Sequence, residues 1–550
     1  MNELFTAAQA WIDDDPDEVT REQASEVLSS AQSGDAASLA QLRTWFGPML
    51  QFGTAGLRGP IGPGPSCMNR ALVLRAAKGL VDYLVERGGH RIVVGYDARH
   101  RSIDFALDTV AIAAAAGLEA VLLPRTLPTP VLAFAVRHLQ ADAGVMVTAS
   151  HNPPQDNGYK VYLGNGSQIV PPADSDIADK IAAVTTVSDL PLSDAWITAD
   201  ESVIDAYVDA TVKVASFRGA GDLHVASTSL HGVGHEIWTR VFAETGLGTL
   251  DVVAEQAEPD ADFPTVAFPN PEEAGATDLL LELAERNHAD LAIANDPDAD
   301  RCAAAICGRD GKWRLLRGDE VGVLLGWWTI QRRAVLGLPA PTGTFAASIV
   351  SSTWLAKIAA AAGLKYEKTL TGFKWIARVP GLVFGYEEAL GYCVDPDNVS
   401  DKDGISAAVR LCELAAYLKS EGRDFESVLA ELAATHGLHQ TDQLSVRMAD
   451  LAAIPAAVAR LRANPPKSVG GLAVVEVIDL ANGYEGLPPT DGILLRLDGG
   501  QVIARPSGTE PKLKCYLEVV VPGSDYAASL TQAKAVLAAM KPDMAQALGV

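Results

Sequence analysis

The sequence predicts an α/β protein with three related α/β domains, whose sheets are mixed and mainly parallel, followed by an α+β domain. Apolar segments of strand length alternate with segments of helical periodicity, in the order strand, helix, strand, helix, strand, and this order occurs three times. After residue 437 the pattern changes to short strands with Gly-rich turns. The length of 550 residues agrees, because one hydrophobic core rarely serves more than about 250–300 residues.

Each repeat is a predicted parallel βαβαβ unit. The elements of the first are expected at 92–95, 105–117, 119–123, 131–140 and 143–147. Those of the second are expected at 223–227, 235–245, 250–254, 277–286 and 291–294. The third has its elements at 345–349, 353–362, 365–369, 373–378 and 382–386, and a long helix follows at 405–421. Ligand-binding loops are expected at the carboxyl ends of the parallel strands.

The C-terminal pattern consists of short strands and a final helix, expected at 443–447, 493–497, 501–504, 514–521 and 526–541. The changes in pattern place the predicted domains at 1–205, 206–318, 319–437 and 438–550.

The charge of the chain excludes several partners. A formal net charge of −25 opposes broad attraction to nucleic acid or to an anionic membrane surface. The first twenty residues are acidic and polar, unlike a secretory signal, and the longest apolar stretch, at 110–123, is too short to span a bilayer. We therefore expect a cytoplasmic protein with no nucleic-acid or membrane partner.

A serine follows the last strand of the first repeat, in the segment Thr-Ala-Ser-His-Asn-Pro at 148–153. Such residues also occur in ordinary strand-to-loop turns. The segment lacks the G-x-S-x-G pattern of acyl-transfer hydrolases. At the open end of a parallel sheet, the hydroxyl of Ser150 can instead carry a phosphoryl group.

Three aspartates, Asp296, Asp298 and Asp300, follow the last strand of the second repeat. Carboxylates at alternate positions of a tight loop can direct oxygens to one point, which suits a hard divalent cation. An EF-hand loop would require Gly and Glu where this chain has Arg301 and Cys307. A solvated acidic loop is the alternative, but the buried strand in front favours a metal site.

Paired glutamates, Glu387 and Glu388, follow the last strand of the third repeat. Carboxylates accept hydrogen bonds from adjacent sugar hydroxyls, and the flanking glycines allow close backbone approach. An ordinary acidic turn would have the same composition. The position of the pair in the repeat favours the sugar-binding interpretation.

The C-terminal domain contains a candidate anion site in the segment Arg-Pro-Ser-Gly-Thr-Glu-Pro-Lys at 505–512. Arg505, two hydroxyls and the backbone N–H groups around Gly508 could surround a phosphate. A plain β-turn is the alternative. A Gly-rich loop at 53–59 carries a further cation, Arg58.

In this order along the chain, the four segments resemble those of the α-D-phosphohexomutase superfamily of phosphoglucomutases and phosphomannomutases, and the match extends over almost the whole chain. The resemblance implies four domains around a central cleft, each donating one loop to the active site. It implies a phosphorylated Ser150, and Mg²⁺ held by the three aspartates with a phosphoserine oxygen. It also implies a glucose 1,6-bisphosphate primer and a sugar-phosphate substrate.

The same resemblance assigns roles to the remaining residues. Arg58 and Arg301 are expected beside the transferring phosphoryl group, Lys160 is the best-matching general acid or base, and His151 could assist. The residues expected to bind substrate are Glu387, Glu388, Lys374, Lys402, Arg505, Ser507, Gly508 and Thr509.

One departure limits the prediction of the substrate. Many hexose enzymes of the family have Glu-x-Ser in the sugar loop, whereas this chain has Ala389 after the glutamate pair. That form is closer to the branch with phosphopentomutase and glucose-1,6-bisphosphate synthase activities. We expect interconversion of sugar 1-phosphate and sugar 6-phosphate, with glucose or mannose as the sugar, and keep those two activities as alternatives.

Two other classes fit less well. A metal-dependent sugar phosphatase needs a water route to the phosphoenzyme, which a mutase must exclude. A non-catalytic binding protein would need neither the serine nor the aspartates. A monomer and a homodimer are both compatible with the sequence.

Overall fold

The computed structural model describes residues 2–448, 453–506 and 512–550. They form two compact units. The first contains residues up to 215, residues 221–303 and residues 395–412, and the second contains residues 216–220, 304–394 and the described residues from 413 onward.

The first unit begins with three helices that are not among the predicted elements: α1 (Asn2–Asp14), α2 (Glu18–Gln32) and α3 (Ala36–Trp45). The carboxylates of Asp17 and Asp35 accept hydrogen bonds from backbone N–H groups and so cap α2 and α3. The three helices share a small apolar core around Ala8, Leu28 and Leu42.

The first sheet has the strand order β1-β5-β4-β2-β3-β6. Its strands are β1 (Leu57–Pro60), β2 (Arg91–Tyr96), β3 (Glu119–Leu122), β4 (Ala143–Val147), β5 (Asp156–Leu163) and β6 (Ile197–Thr198). The helices of this segment are α4 (Arg70–Glu86), α5 (Ser102–Ala115), α6 (Thr129–His138), α7 (Ala173–Ala183) and α8 (Ser202–Val212). β2 pairs in parallel with β3 and β4, which confirms the predicted βαβαβ unit. The antiparallel strands β1 and β5 make the sheet mixed.

The second sheet contains β7 (Leu223–Thr228), β8 (Gly248–Val252) and β9 (Leu291–Asn295), with α9 (Gly234–Thr245) and α10 (Asp278–Arg286) between them. β7 lies between β8 and β9 and is parallel to both, as predicted. β10 (Cys302–Cys307) then leads into the second unit, where it pairs with β11 (Trp313–Leu315).

The third sheet, in the second unit, has the order β13-β12-β14-β15. Its segment contains α11 (Gly318–Val335), β12 (Thr344–Ser348), α12 (Trp354–Ala361), β13 (Lys365–Thr369), α13 (Phe373–Ile376), β14 (Leu382–Glu387) and β15 (Gly391–Cys393). β12 is parallel to β13 and β14, and β15 is antiparallel to β14. The long helix α14 (Gly404–Ser420) begins in the first unit and ends in the second.

The C-terminal sheet is antiparallel, in the order β16-β21-β20-β19-β18-β17. Its segment contains α15 (Phe425–His436), β16 (Leu438–Arg447), α16 (Ala453–Ala463), β17 (Ser468–Val469), β18 (Leu472–Asp479), β19 (Ile493–Leu497), β20 (Gly500–Pro506), β21 (Lys512–Val521) and α17 (Tyr526–Leu548). The predicted strands and final helix are present. The helix α16 and the hairpin of β17 and β18 were not predicted, and β16 begins five residues before its predicted start at 443.

The first three sheets share one strand arrangement. In each, the first parallel strand lies in the middle, between the second and the third. The loops with the candidate serine, aspartates and glutamates follow the equivalent third strands β4, β9 and β14. Among the described residues, no helix combines the length and apolar character that crossing a bilayer requires.

Candidate active site

Ser150 lies in the loop after β4, a strand buried along its whole length. Its side chain is buried, and its Oγ donates a hydrogen bond to Asp296 Oδ2 over 2.9 Å. Its φ of 55° is in the left-handed region, which a residue with a Cβ adopts only at an energetic cost. The backbone N–H of Ser150 donates to Thr148 Oγ1 over 2.8 Å, so one contact within the loop helps to hold this conformation.

The three aspartates converge beside the serine. Asp296, Asp298 and Asp300 are fully buried, and each offers a carboxylate oxygen within 4.8 Å of those of the other two. Within the described part of the chain, Asp298 Oδ1 and Asp300 Oδ1 have no hydrogen-bond partner. Buried carboxylate oxygens without donors fit a hard divalent cation, so the cluster can hold a metal.

Two lysines contact the same cluster. Lys160, on β5, donates from Nζ to Asp298 Oδ2 over 2.6 Å and to Asp300 Oδ2 over 3.0 Å. Lys402 Nζ lies 2.8 Å from Asp300 Oδ2. This predicted substrate-binding residue therefore contacts the loop that contains the three aspartates, called the metal loop below. Thr129, at the start of α6, donates from Oγ1 to Asp298 Oδ2 over 2.5 Å.

These contacts separate the pKa values of the three carboxyl groups. Burial, and then repulsion by Asp298 and Asp300, raises the pKa of Asp296 to about 7. Burial also opposes ionisation of the other two, but Lys160 lowers the pKa of Asp298 and, together with Lys402, lowers the pKa of Asp300. The cluster is therefore a tightly coupled set of acids held among cations.

Arginines and a histidine complete the surroundings of Ser150. Arg301 Nη1 lies 3.4 Å from Ser150 Oγ and contacts His151 Nδ1, while His151 Nδ1 lies 3.4 Å from Ser150 Oγ. Arg58 donates to Asn152 Oδ1 over 3.2 Å. Burial, then the charges of Arg301 and Arg58, holds the pKa of His151 well below its ordinary value, so its imidazole is neutral near pH 7.

The first unit therefore brings together every predicted residue of the serine and metal loops, together with Arg58, Lys160 and Lys402. Arg99 and Thr129 were not predicted. Arg99 donates to four carbonyl oxygens of the serine loop, from Ser150, Asn152, Pro153 and Asp156. In the sequence, the position of Arg99 in the loop after β2 could have indicated this role, because β2 is the parallel neighbour of β4.

The second unit contains the other described candidates for substrate binding, Glu387, Glu388, Lys374 and Arg505. Glu387 is the last residue of β14, and Glu388 lies in the turn between β14 and β15. Glu388 Oε2 accepts hydrogen bonds from Ser348 Oγ over 3.0 Å and Ser351 Oγ over 3.2 Å. Burial, and then the nearby charge of Asp319, raises the pKa of Glu388. One oxygen of this predicted sugar-binding residue is thus engaged within its own unit.

Arg505 lies near the end of β20, and its Nη1 contacts Thr371 Oγ1. Thr371 is three residues before Lys374, on α13, so the second unit places these two predicted phosphate contacts on neighbouring segments. Ser507, Gly508 and Thr509 lie outside the described residues.

Comparison with known proteins identifies the family. The four domains of phosphoglucomutase/phosphomannomutase match in order, with alpha/beta/alpha domains I, II and III at 49–188, 205–308 and 317–436 and the C-terminal domain at 444–532. The domain boundaries expected at 205, 318 and 437 remain predictions.

Two relatives and one crystal structure illustrate the similarity. A Haemophilus influenzae protein described as "Probable phosphomannomutase" is 48% identical over 461 residues, which cover 82% of this chain and 93% of the relative. The human phosphopentomutase is 36% identical over 538 residues, covering 88% of this chain and 87% of that protein. The crystal structure of a phosphoglucomutase/phosphomannomutase family protein from Burkholderia thailandensis has a TM-score of 0.69 at 20% identity, covering 90% of this chain and 97% of that one. The chain therefore belongs to the phosphoglucomutase/phosphomannomutase family, enzymes that catalyse intramolecular phosphoryl transfer on sugar phosphates.

Proposed function

We propose that this mutase interconverts the 1-phosphate and 6-phosphate of a hexose, glucose or mannose, through a phosphorylated Ser150 and a sugar bisphosphate. The supporting observation is the buried contact between Ser150 Oγ and Asp296 Oδ2 inside a three-carboxylate cluster. A hydroxyl in this setting suits a phosphoryl carrier beside a cation, because both the metal and the arginines can neutralise phosphate charge.

Magnesium is the proposed metal. Asp296, Asp298 and Asp300 would hold it together with an oxygen at Ser150, since Mg²⁺ prefers carboxylate and phosphate oxygens. When bound, it would withdraw electron density from the phosphoryl oxygens.

The transfer itself exchanges one P–O bond for another. The bond from phosphorus to Ser150 Oγ breaks, a bond from phosphorus to the free sugar hydroxyl forms, and that hydroxyl loses its proton. Arg58 and Arg301 would neutralise the equatorial oxygens. Lys160 is the proposed general acid or base, and the neutral imidazole of His151 can assist through hydrogen bonds beside Ser150.

Substrate binding is proposed for the residues of the second unit. Glu387 and Glu388 would accept hydrogen bonds from sugar hydroxyls, and the Arg505 loop, with Ser507, Gly508 and Thr509, would bind the phosphate that is not being transferred. Lys374 and Lys402 are proposed as further phosphate contacts. The transfer cycle exchanges the two phosphates, so each end of the sugar must reach Ser150 in turn.

Glucose 1,6-bisphosphate is the proposed primer, because a bisphosphate can phosphorylate Ser150 and leave a sugar monophosphate. The cytoplasmic location and the choice between monomer and homodimer remain predictions.

Phosphopentomutase activity is the second candidate. Two observations favour it: Ala389 stands where many hexose enzymes have a hydroxyl, and the human phosphopentomutase is similar over most of both chains. The candidates differ in the sugar they place against the same serine, so a product assay separates them.

The test incubates purified protein with Mg²⁺, glucose 1,6-bisphosphate and, separately, the 1-phosphates of glucose, mannose and ribose. Products are resolved by isomer, and intact mass reports phosphate on the enzyme. We expect one added phosphate on the wild type, none on Ser150→Ala, and a loss of turnover in Ser150→Ala on the order of 10³-fold or more.

The outcomes separate the candidates. Preference for ribose 1-phosphate would select the pentose enzyme, and inorganic phosphate as the main product would select a phosphatase. Full turnover in Ser150→Ala would reject the serine as carrier.

A further inference from the structure

Arg99 has no assigned role, although its guanidinium donates hydrogen bonds to four backbone carbonyls of the serine loop. We propose that Arg99 is a positioning residue, which fixes the backbone of the Ser150 loop in the conformation that phosphoryl transfer requires. This inference rests on the proposed role of Ser150 as phosphoryl carrier.

The two ends of the guanidinium hold two parts of the loop. Nη2 donates to the carbonyl oxygens of Ser150 over 2.6 Å and of Asn152 over 2.5 Å. Nη1 donates to the carbonyl oxygens of Pro153 over 2.9 Å and of Asp156 over 3.2 Å. The planar guanidinium of arginine has donors in fixed directions and therefore suits four acceptors arranged in two pairs. The ammonium group of lysine has all its donors on one nitrogen.

Arg99 is itself held firmly. Its side chain is 1% exposed, and its Nε lies 3.4 Å from Asp97 Oδ2. Asp97 Oδ1 accepts hydrogen bonds from the backbone N–H of Arg99 over 3.0 Å and from Ser102 Oγ over 2.6 Å. The ring of Phe263 lies over the guanidinium, with its centroid 4.9 Å away. These contacts with Asp97 and Phe263 restrict the guanidinium to one orientation.

The loop needs this support because Ser150 has a positive φ. A left-handed conformation at a residue with a Cβ costs roughly 1–2 kcal/mol, so the surrounding contacts must maintain it. Arg99 binds the carbonyl of Ser150, and Thr148 Oγ1 accepts from its N–H. Both backbone polar groups of the serine are thereby fixed, and with them the direction of Oγ toward Asp296.

The experiment measures a rate constant that a loss of folded protein does not change. Full-length wild type, Arg99→Lys and Arg75→Lys are loaded with glucose 1,6-bisphosphate and then mixed with excess glucose 1-phosphate or mannose 1-phosphate, whichever the wild type uses. The bisphosphate used for loading carries radioactive phosphate, because each turnover returns the sugar's own phosphate to Ser150 and leaves the mass of the phosphoenzyme unchanged. Loss of radioactivity from the enzyme to unlabelled substrate therefore follows the transfer. The amplitude reports the loaded fraction, and the single-turnover rate constant reports transfer.

Arg75 provides the matched control. It also binds backbone carbonyls of a loop, from Val184 and Thr185, and pairs with Asp14, but none of these residues belongs to the proposed site. We expect Arg99→Lys to lower the rate constant about 100-fold, the scale of a small misplacement of reacting groups, and Arg75→Lys to leave it within about threefold.

A wild-type rate constant in Arg99→Lys, with only a smaller amplitude, would overturn the inference. If Arg99→Lys does not fold, the same rate constant is measured for Asp97→Asn. This variant removes the charge that pairs with Arg99 but keeps Arg99 itself. A rate constant about tenfold lower supports the inference, and an unchanged one overturns it. Failure of the wild type to acquire phosphate on Ser150 would instead refute the proposed function.

Discussion

Single residues balance the charge of the aspartate cluster. Three buried carboxylates would repel one another strongly in a medium of low dielectric, and leaving any of them without a partner is costly. Lys160 and Lys402 both contact Asp300, and Lys160 also contacts Asp298. These ammonium groups stabilise the carboxylates, and they also oppose the approach of a divalent cation.

Removing one lysine tests this balance. Lys402→Met should tighten Mg²⁺ binding by about tenfold or more, because the cluster gains net negative charge at short range, and should lower the thermal stability of the metal-free protein. Calorimetric titration with MgCl₂ measures the affinity. Lys180→Met is the control, since Lys180 pairs with Glu86 on the surface. Unchanged or weaker Mg²⁺ binding would contradict the prediction.

The elements place the chemistry through their shared arrangement. Three site loops leave the carboxyl end of the third parallel strand of their sheet, and the adjacent loop after the first strand supports them. In the first unit, Arg99 follows β2 and holds the loop after β4. The loop after β7 supports the metal loop in the same way, because the N–H of Val233 donates to the carbonyl of Pro297 over 2.8 Å.

Gly232 lies in the loop after β7, so a substitution there tests the support that this loop gives to the metal loop. A methyl group added there would lie 2.2 Å from Pro297 Cα, so the metal loop would have to move. We expect Gly232→Ala to weaken Mg²⁺ binding by about tenfold or more, the usual scale for disturbing outer support of a metal site. The change in melting temperature with added Mg²⁺ measures this without an activity assay.

The control for this prediction is Gly308→Ala, whose methyl first meets the tip of the Asp310 side chain, which can turn away. Equal stabilisation of Gly232→Ala and the wild type by Mg²⁺ would show that the metal loop tolerates the methyl.

Over the whole molecule, the net charge is acidic, but cationic side chains are concentrated at particular sites. The net charge is −25, yet Arg58, Arg99 and Arg301 surround Ser150. The second unit contains a buried acid that is not part of the aspartate cluster, Asp319. Asp319 Oδ1 accepts hydrogen bonds from the N–H of Ser352 over 2.7 Å and from Tyr386 Oη over 2.8 Å. Burial raises the pKa of Asp319 to about 6.

This shift predicts a pH dependence of stability. The folded protein keeps the Asp319 proton up to about pH 6, whereas the unfolded chain releases it near pH 4, so stability falls between these values and then stays constant. Asp319→Asn should remove this loss. Relative to the wild type, the variant should gain roughly 2–3 kcal/mol between pH 4 and pH 7.

Urea unfolding at several pH values, followed by tryptophan fluorescence, measures the difference. Asn keeps the acceptor Oδ1, so both hydrogen bonds can remain. Parallel stability profiles for the two proteins would contradict the prediction.

Local patterns were sufficient for most elements and for the site loops. The parallel strands β2, β4, β7, β9 and β12 were predicted because buried strands are short apolar runs. The serine and the aspartates were found because a hydroxyl or a carboxylate directly after such a strand is unusual. The helices α1–α3 were missed, since each buries only a few side chains and therefore has a weak apolar pattern.

The sequence by itself determined the fold class, the family and the candidate residues for the chemistry, because these depend on periodicity and on contiguous motifs. Only the tertiary structure decided which distant groups meet them. Lys160 reaches Asp298 across 138 positions and Arg99 reaches Ser150 across 51. Such contacts depend on the order and register of the strands, which bring together loop ends that are far apart along the chain.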